Sequence, residues 1–291
     1  MSMLKIRGLT KTYAGGTRAL DGVDLDVPAG MFGLLGPNGA GKSSLMRTLA
    51  TLQRPDAGSV EFDGVDVLAE PQRMRAVLGY LPQEFGVYPH VAAEPLLDHL
   101  AILKGITDRK QRRECVHALL QRTNLWEVRK KSVSGYSGGM RQRFGVAQAL
   151  LGAPRLLIVD EPTAGLDPAE RQRFLDLICE VGEQVAVIFS THLVEDVREL
   201  CPNMAIMNHG RVLKTGRPDD CIAALDGQVW SRSCGREELA RLRAEHAVIS
   251  TRRRAGRVRV HVLASDAPSG FEAVRPGLED VYFATLASCG P

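Results

Sequence analysis

The order of strands and helices predicts an α/β protein, built on a parallel sheet covered on both faces and extended by a small α+β unit at its C-terminal end. Three observations carry that prediction. "RLLIVDEP" and "QVAVIFSTH" are short strands, apolar throughout, and "PAERQRFLDLICEVG" between them has helical periodicity, the pattern of a parallel sheet with helices on both sides. "GLLGPNGAGKSS", residues 33–44, leads a buried strand through a glycine-rich turn into a helix. After "AIMNHGRVLKTGRPDD" the texture changes, which sets a boundary near Gly216 to Pro218.

The elements follow in order. "MLKIRGLTKTYAGGTRALDGVDLDVPAGMFGLLGPNG" alternates apolar and polar residues between Gly, Asp and Pro punctuation, predicting short strands that lead into a buried one from Met31 to Leu35. A helix opens at Gly41 and runs through "KSSLMRTLATL". "GSVEFDGVDV" predicts a strand pair turning at Asp63 and Gly64, and "VLGYLPQ" a buried strand ending at Gln83. From Phe85 to Leu151 the spacing is helical, with the polar stretch "TDRKQRR" inside it. Beyond the boundary, "REELARLRAE" predicts a helix from Arg236 to Glu245. "HAVISTRRRAGRVRVHVL" predicts a hairpin whose second strand sets Val258, Val260 and Val262 on one face and Arg257, Arg259 and His261 on the other.

Composition narrows the partners. With 44% apolar residues the 291-residue chain can pack an ordinary core, which argues against disorder. A net charge of +3, from 37 basic and 34 acidic residues, is too balanced to indicate a nucleic-acid partner, and none is expected. The six cysteines (Cys115, Cys179, Cys201, Cys221, Cys234 and Cys289) form no C-x-x-C pair, so reduced thiols are expected rather than a disulfide framework or a zinc site. "MSMLKIRGLTKTYAGG" has no apolar core of signal-peptide length, and no stretch reaches the ~18 apolar residues of a membrane span. The expectation is a soluble chain, free to dock on a partner that is not.

Two glycine-paired loops carry the chemistry. Gly36, Gly41, Lys42 and Ser43 satisfy GxxxxGKS between a buried strand and a helix, where backbone N–H groups and the helix N-terminus converge on phosphate oxygens. Lys42 would neutralise β- and γ-phosphates and Ser43 would hold Mg²⁺. "LLIVDEP" carries two adjacent carboxylates to a strand end, Asp160 for the metal shell and Glu161 to face the γ-phosphate and its water. The second loop, "SGYSGGMRQR", follows about a hundred residues after the first. One nucleotide needs only one such loop, so the two serve different nucleotides, different phosphates or different subunits.

The succession "GPNGAGKSS", Gln83 in "YLPQ", "YSGGMRQR", "LLIVDEP", "AGLD" and His192 in "STH" resembles the ATP-binding subunit of an ABC transporter, from Leu4 to about Gly216. The resemblance implies a P-loop NTPase cassette over residues 1–216, with a parallel-sheet core, an antiparallel β subdomain and a helical arm at about 85–151. A small accessory α+β domain would occupy residues 217–291. It implies ATP and Mg²⁺ as cofactors, with Gly36, Pro37, Asn38, Gly39, Ala40, Gly41, Lys42, Ser43 and Ser44 around the phosphates. Ser43, Gln83 and Asp160 would attend the metal. Tyr13 would stack on adenine, or else be a core aromatic. Glu161 would orient or polarise the attacking water and His192 would contact the γ-phosphate.

The resemblance also answers the question of the second loop. In this family Ser137, Gly138 and Gly139 cap the γ-phosphate of ATP bound to the opposite subunit, and Asp167 sits at the junction, so the working unit is a head-to-tail dimer of identical or related cassettes. Ser137 is equally suited to capping its own helix. Tyr136 and Met140 stand where Leu and Gln are usual, and Ser44 where Thr often follows. The arm would receive a short helix of an integral membrane permease on the inner face of the cell membrane. "GLEDVYF" resembles the ending of ATP-binding subunits of bacterial drug and polysaccharide exporters, and reads equally as a helix N-terminus with acidic residues placed for its dipole. An importer subunit and a soluble ATPase of the same family are the alternatives. "TRRRAGR" reads as a solvated turn or a contact for anionic lipid.

Overall fold

The computed structural model describes residues 3–86, 88–254 and 257–288, so Ala255 and Gly256 of the "TRRRAGR" turn lie outside the described residues. Strands β1 (Leu4–Thr12), β2 (Arg18–Val27), β4 (Ala57–Phe62) and β5 (Val65–Asp66) form an antiparallel sheet in the order β2-β1-β4-β5. A bulge at Gly8, φ 55°, returns Leu9 to the face already occupied by Leu4 and Ile6, so all three are buried.

The central sheet has the order β10-β9-β3-β8-β7-β6. Its strands are β3 (Met31–Leu35), β6 (Leu78–Leu81), β7 (Leu156–Asp160), β8 (Ala186–Thr191), β9 (Asn203–Asn208) and β10 (Arg211–Gly216). All neighbours pair parallel except β9 and β10. Every residue of β3, β7 and β8 is buried, because apolar clusters cover both faces. Each such leucine or isoleucine contributes roughly 1.5–3 kcal/mol by leaving water.

Two expected boundaries move for local reasons. The first helix, α1 (Lys42–Leu49), stops short of Leu52 because Thr51 takes a left-handed φ of 59°, which ends the helix and leaves Leu52 65% exposed. Strand β6 stops at Leu81 because Pro82 has no N–H for the ladder, so Gln83 lies past the strand end.

Helix α2 (Pro71–Val77) precedes β6, and α3 (Ala93–Leu103), α4 (Arg109–Arg122) and α5 (Gly138–Ala149) make the expected helical stretch. Helix α6 (Pro168–Gly182) starts behind an Asp167 cap with Pro168 in its first turn, and α7 (Val194–Leu200) follows β8.

The chain then passes through α8 (Pro218–Ala223) into a second antiparallel sheet, β12-β13-β11-β14, made of β11 (Val229–Cys234), β12 (Ala247–Arg254), β13 (Arg257–Leu263) and β14 (Glu272–Ala273). Helix α9 (Arg236–Glu245) covers the face that carries Val258, Val260 and Val262, as the alternation predicts. The final helix, α10 (Leu278–Ala287), packs on β12 of this sheet and also on α7, α8, β9 and β10, burying Leu278, Val281 and Tyr282 in the core of the larger unit. The five described cysteines are free. Among the described residues no helix is long and apolar enough to cross a membrane.

Candidate functional site

The carboxyl ends of β3, β7 and β8 meet at one edge of the central sheet, where each apolar strand gives way to a polar loop. Beyond β3 the glycines have two separate reasons. At Gly36 a Cβ would stand 2.3 Å from Met207 O, and at Gly41, φ 101°, 2.3 Å from Ala19 O, so both are required for close approach of backbone to backbone. Gly39 has open space but a φ of 82°, which a residue with a side chain rarely adopts. The turn delivers Lys42 to the start of α1. Its ammonium is 4% exposed, donates to Gly36 O (2.7 Å) and Pro37 O (3.1 Å), and pairs with Glu161 Oε1 (2.9 Å).

Asp160 and Glu161 stand at the end of β7. Asp160 is buried and accepts a hydrogen bond from Ser190 Oγ at 2.8 Å, its partner in the parallel register. Glu161 leaves the strand with φ 48°, a left-handed backbone that is uncommon for a residue with a side chain and recurs at functional sites. Its second oxygen meets His192 Nδ1 at 2.6 Å. Burial pushes the Glu161 carboxyl up, but the hydrogen bond and charge of Lys42, followed by those of His192, outweigh it and hold the group below the usual carboxylate range. Glu161 is therefore an ionised acceptor at neutral pH, shared between a lysine and a histidine.

Tyr13 stands at the rim, 38% exposed, with its hydroxyl 3.1 Å from Ser44 Oγ and donating to Gln53 Oε1 at 2.9 Å. The Gln53 amide is itself fixed, since Nε2 donates to Ser44 O (2.8 Å) and Thr48 Oγ1 (2.9 Å). A cleft of about 520 Å³ opens among these groups, lined by Tyr13, Asn38, Gly39, Ala40, Gly41, Lys42, Ser43, Ser44, Gln83 and Glu161. Gly36 and Pro37 reach it through the Lys42 ammonium, and His192 through Glu161.

Four of the expected residues lie elsewhere. Ser137 caps α5, accepting from Met140 N at 3.2 Å, and both Ser137 and Gly138 are exposed. Gly139 is buried against α6, where a Cβ would stand 2.0 Å from Glu170 Oε2. Asp167 is exposed and caps α6, accepting from Glu170 N at 2.9 Å. All four fall outside the lining of the Lys42 cleft. Tyr136 has a packing reason for being aromatic, since it is buried with its hydroxyl donating to Val128 O at 2.9 Å.

Reading the sequence did not single out Ser190 or Gln53. Ser190 has a sequence signal in retrospect, because aligning "LLIVD" with "VIFST" as parallel neighbours sets it opposite Asp160. Gln53 has none, since its contacts depend on how the chain turns after α1. Thr17 and His209 from loops, and Arg18 and Ala19 from the start of β2, also line the cleft and carry no motif.

The residues present fit a nucleoside triphosphate with its metal. A buried ammonium whose charge is met by one carboxylate can exchange that partner for phosphate oxygens, and the loop around it offers bare backbone at a helix N-terminus. The Ser43 hydroxyl, the Gln83 amide oxygen and the Asp160 carboxylate are hard oxygen donors of the kind Mg²⁺ takes.

Residues 20–164 match the family model described as ABC transporter. The chain is 36% identical over 228 residues to the daunorubicin/doxorubicin resistance ATP-binding protein DrrA of Streptomyces peucetius, a match covering 78% of this chain and 68% of that one. It is 34% identical over 230 residues to the probable multidrug ABC transporter ATP-binding protein YbhF of Escherichia coli, covering 78% of this chain and 39% of that one. Among solved structures, cbiO1 from Clostridium perfringens, part of the ABC transporter complex cbiONQ, superposes with a TM-score of 0.68 at 27% identity over 76% of this chain and 91% of its own. The ATP-binding cassette MJ0796, in a dimeric post-hydrolysis state bound to ADP and Pi, gives 0.67 at 25% identity over 74% and 98%. With the phosphate loop, the paired carboxylates and these relatives in agreement, the chain belongs to the ABC transporter family as an ATP-hydrolysing, ATP- and Mg²⁺-dependent cassette.

Proposed function

We propose that two copies of this chain close head to tail around ATP and drive an integral membrane permease that exports its substrate. The observation that carries this reading is the separation of the two glycine loops. Ser137 and Gly138 present an exposed hydroxyl and a helix N-terminus away from the cleft that holds Lys42, so they suit a nucleotide held by another subunit. Asp167 is exposed on the next helix cap, where a subunit junction would use it.

In this reading Lys42 and the backbone of residues 36–44 hold the phosphates, and Tyr13 stacks on the base. Ser43, Gln83 and Asp160 hold the metal, which supplies charge neutralisation when bound. Glu161 accepts the proton of the attacking water and His192 orients that carboxylate and the terminal phosphate. Nucleotide entry would draw Lys42 from Glu161 to the phosphates, freeing the carboxylate for water. Residues 1–216 act as the motor and residues 217–291 as an accessory domain whose last helix returns to the motor.

The permease reading is supported by a cleft of about 470 Å³ between the central sheet and the helical arm, lined by Leu52, Tyr80, Leu100, Leu103 and Lys104. Leu52 and Leu103 are 65% and 71% exposed there, an apolar surface suited to a short helix of a partner. The export direction follows relatives named for drug resistance and multidrug transport, and the "GLEDVYF" ending. The chain would then sit on the cytoplasmic face of the membrane through its permease. The test is to express two differently tagged copies with the neighbouring membrane-protein genes and purify through one tag in detergent. Recovery of the other tag and a multispan protein together supports the reading, whereas recovery with ribosomes and no membrane protein overturns it.

A further inference from the structure

Asp196 lies on α7, just past His192, and is fully buried. Its carboxylate gathers three other segments. Oδ2 accepts from Thr163 Oγ1 at 2.9 Å and from Thr191 Oγ1 at 3.3 Å, while Oδ1 accepts from Arg171 Nε at 2.9 Å and also from Arg171 Nη2. Each donor adjoins a residue of the site: Thr163 follows Glu161 and Pro162, Thr191 directly precedes His192, and Arg171 is one turn along α6 from Asp167. The Thr191 hydroxyl also accepts from Leu193 N at 3.0 Å, which pins the turn that carries His192.

Burying a carboxylate is costly even when it is paired, and apolar residues of similar size usually stabilise a fold at least as well. What this carboxylate provides is geometry, because four donors at fixed directions hold three segments in one register. Asp196 itself is absent from the lining of the nucleotide cleft. We infer that Asp196 is a positioning residue for ATP hydrolysis, which keeps the segments bearing Glu161, Asp167 and His192 aligned with one another. This inference rests on the catalytic roles proposed above for Glu161 and His192.

The test measures kcat and KM for Mg-ATP, with thermal melting, in Asp196→Asn, Thr163→Val and Arg171→Lys, using Glu161→Gln as a control. Asparagine keeps the shape but loses the charge, valine removes one donor and leaves the ion pair intact, and lysine keeps the charge but loses the two-pronged grip. Misalignment of reacting groups lowers kcat by about 10- to 100-fold. That loss is expected in each folded variant, with KM within about twofold, since the phosphate loop is untouched. Folded Thr163→Val and Arg171→Lys with wild-type kcat would overturn the inference, as would losses of kcat that merely track melting temperature. Should Asp196→Asn not fold, the other two decide. If Glu161→Gln itself turned over normally, the catalytic assignment would fall instead, and the two failures are thereby distinguished.

Discussion

Glu161 meets a lysine and a histidine at once, and the consequences of changing it or its lysine partner follow from those two contacts. Replacing it by Gln removes a carboxylate proton acceptor in contact with both Lys42 and His192, so turnover should fall roughly 10²-fold or more. Nucleotide binding should persist, because the phosphate loop is intact. Phosphate release and titration with a fluorescent ATP analogue check both halves, and unchanged turnover would move the base elsewhere. Lys42→Ala should abolish nucleotide binding, since no other buried cation lines the described cleft; wild-type affinity in that variant would contradict the phosphate-loop assignment. At this scale the sequence was informative wherever a residue's role depends on near neighbours along the chain. Gly36, Gly41 and Lys42 act within one turn, and Asp160 and Glu161 at one strand end. Gln53 was illegible because it acts through Tyr13 and Ser44, which lie far apart along the chain and meet only in the folded protein.

Among the elements, a close backbone approach joins the central sheet to α5, the helix that Ser137 caps. A Cβ on Gly79 of β6 would stand 2.2 Å from the carbonyl oxygen of Ala149, at the far end of α5. Gly79→Ala should therefore push α5 off the sheet, at a cost of about 1–3 kcal/mol typical of overpacking. Gly15→Ala, with nothing within 4 Å, should be close to neutral. Thermal melting of the two variants checks this, and equal melting temperatures would deny that the α5 contact is tight. Strands and helices were legible from periodicity because burial is so uniform in β3, β7 and β8. Ends were less so: the stop of α1 depends on the left-handed Thr51, which no pattern announces.

On the scale of the whole molecule, α10 ties the last sheet to the core around the central sheet. Asp280 is buried on α10 and is held by His261 Nδ1 at 2.8 Å and Gly277 N at 2.9 Å. Burial raises its carboxyl, but the hydrogen bonds from His261 and Gly277 outweigh that and leave it below its ordinary value. A depressed carboxylate contributes stability that is full above its unfolded pKa of about 3.9 and is lost as pH falls through the lower folded value. Acid melting curves between neutral pH and pH 3 should accordingly show a loss that Asp280→Asn does not share, and identical slopes would remove Asp280 from the account. The return of α10 to the cassette core was not legible, because "GLEDVYF" reads as the start of a helix but does not say which unit that helix covers. The second glycine loop was legible as a motif, and its distance from the Lys42 cleft is what gives it meaning. Sedimentation of Glu161→Gln under saturating Mg-ATP tests most directly whether that second loop serves another subunit. A species of twice the single-chain mass is expected, reverting when ATP is withdrawn. A particle of single-chain mass at every protein concentration, with nucleotide bound, would contradict it.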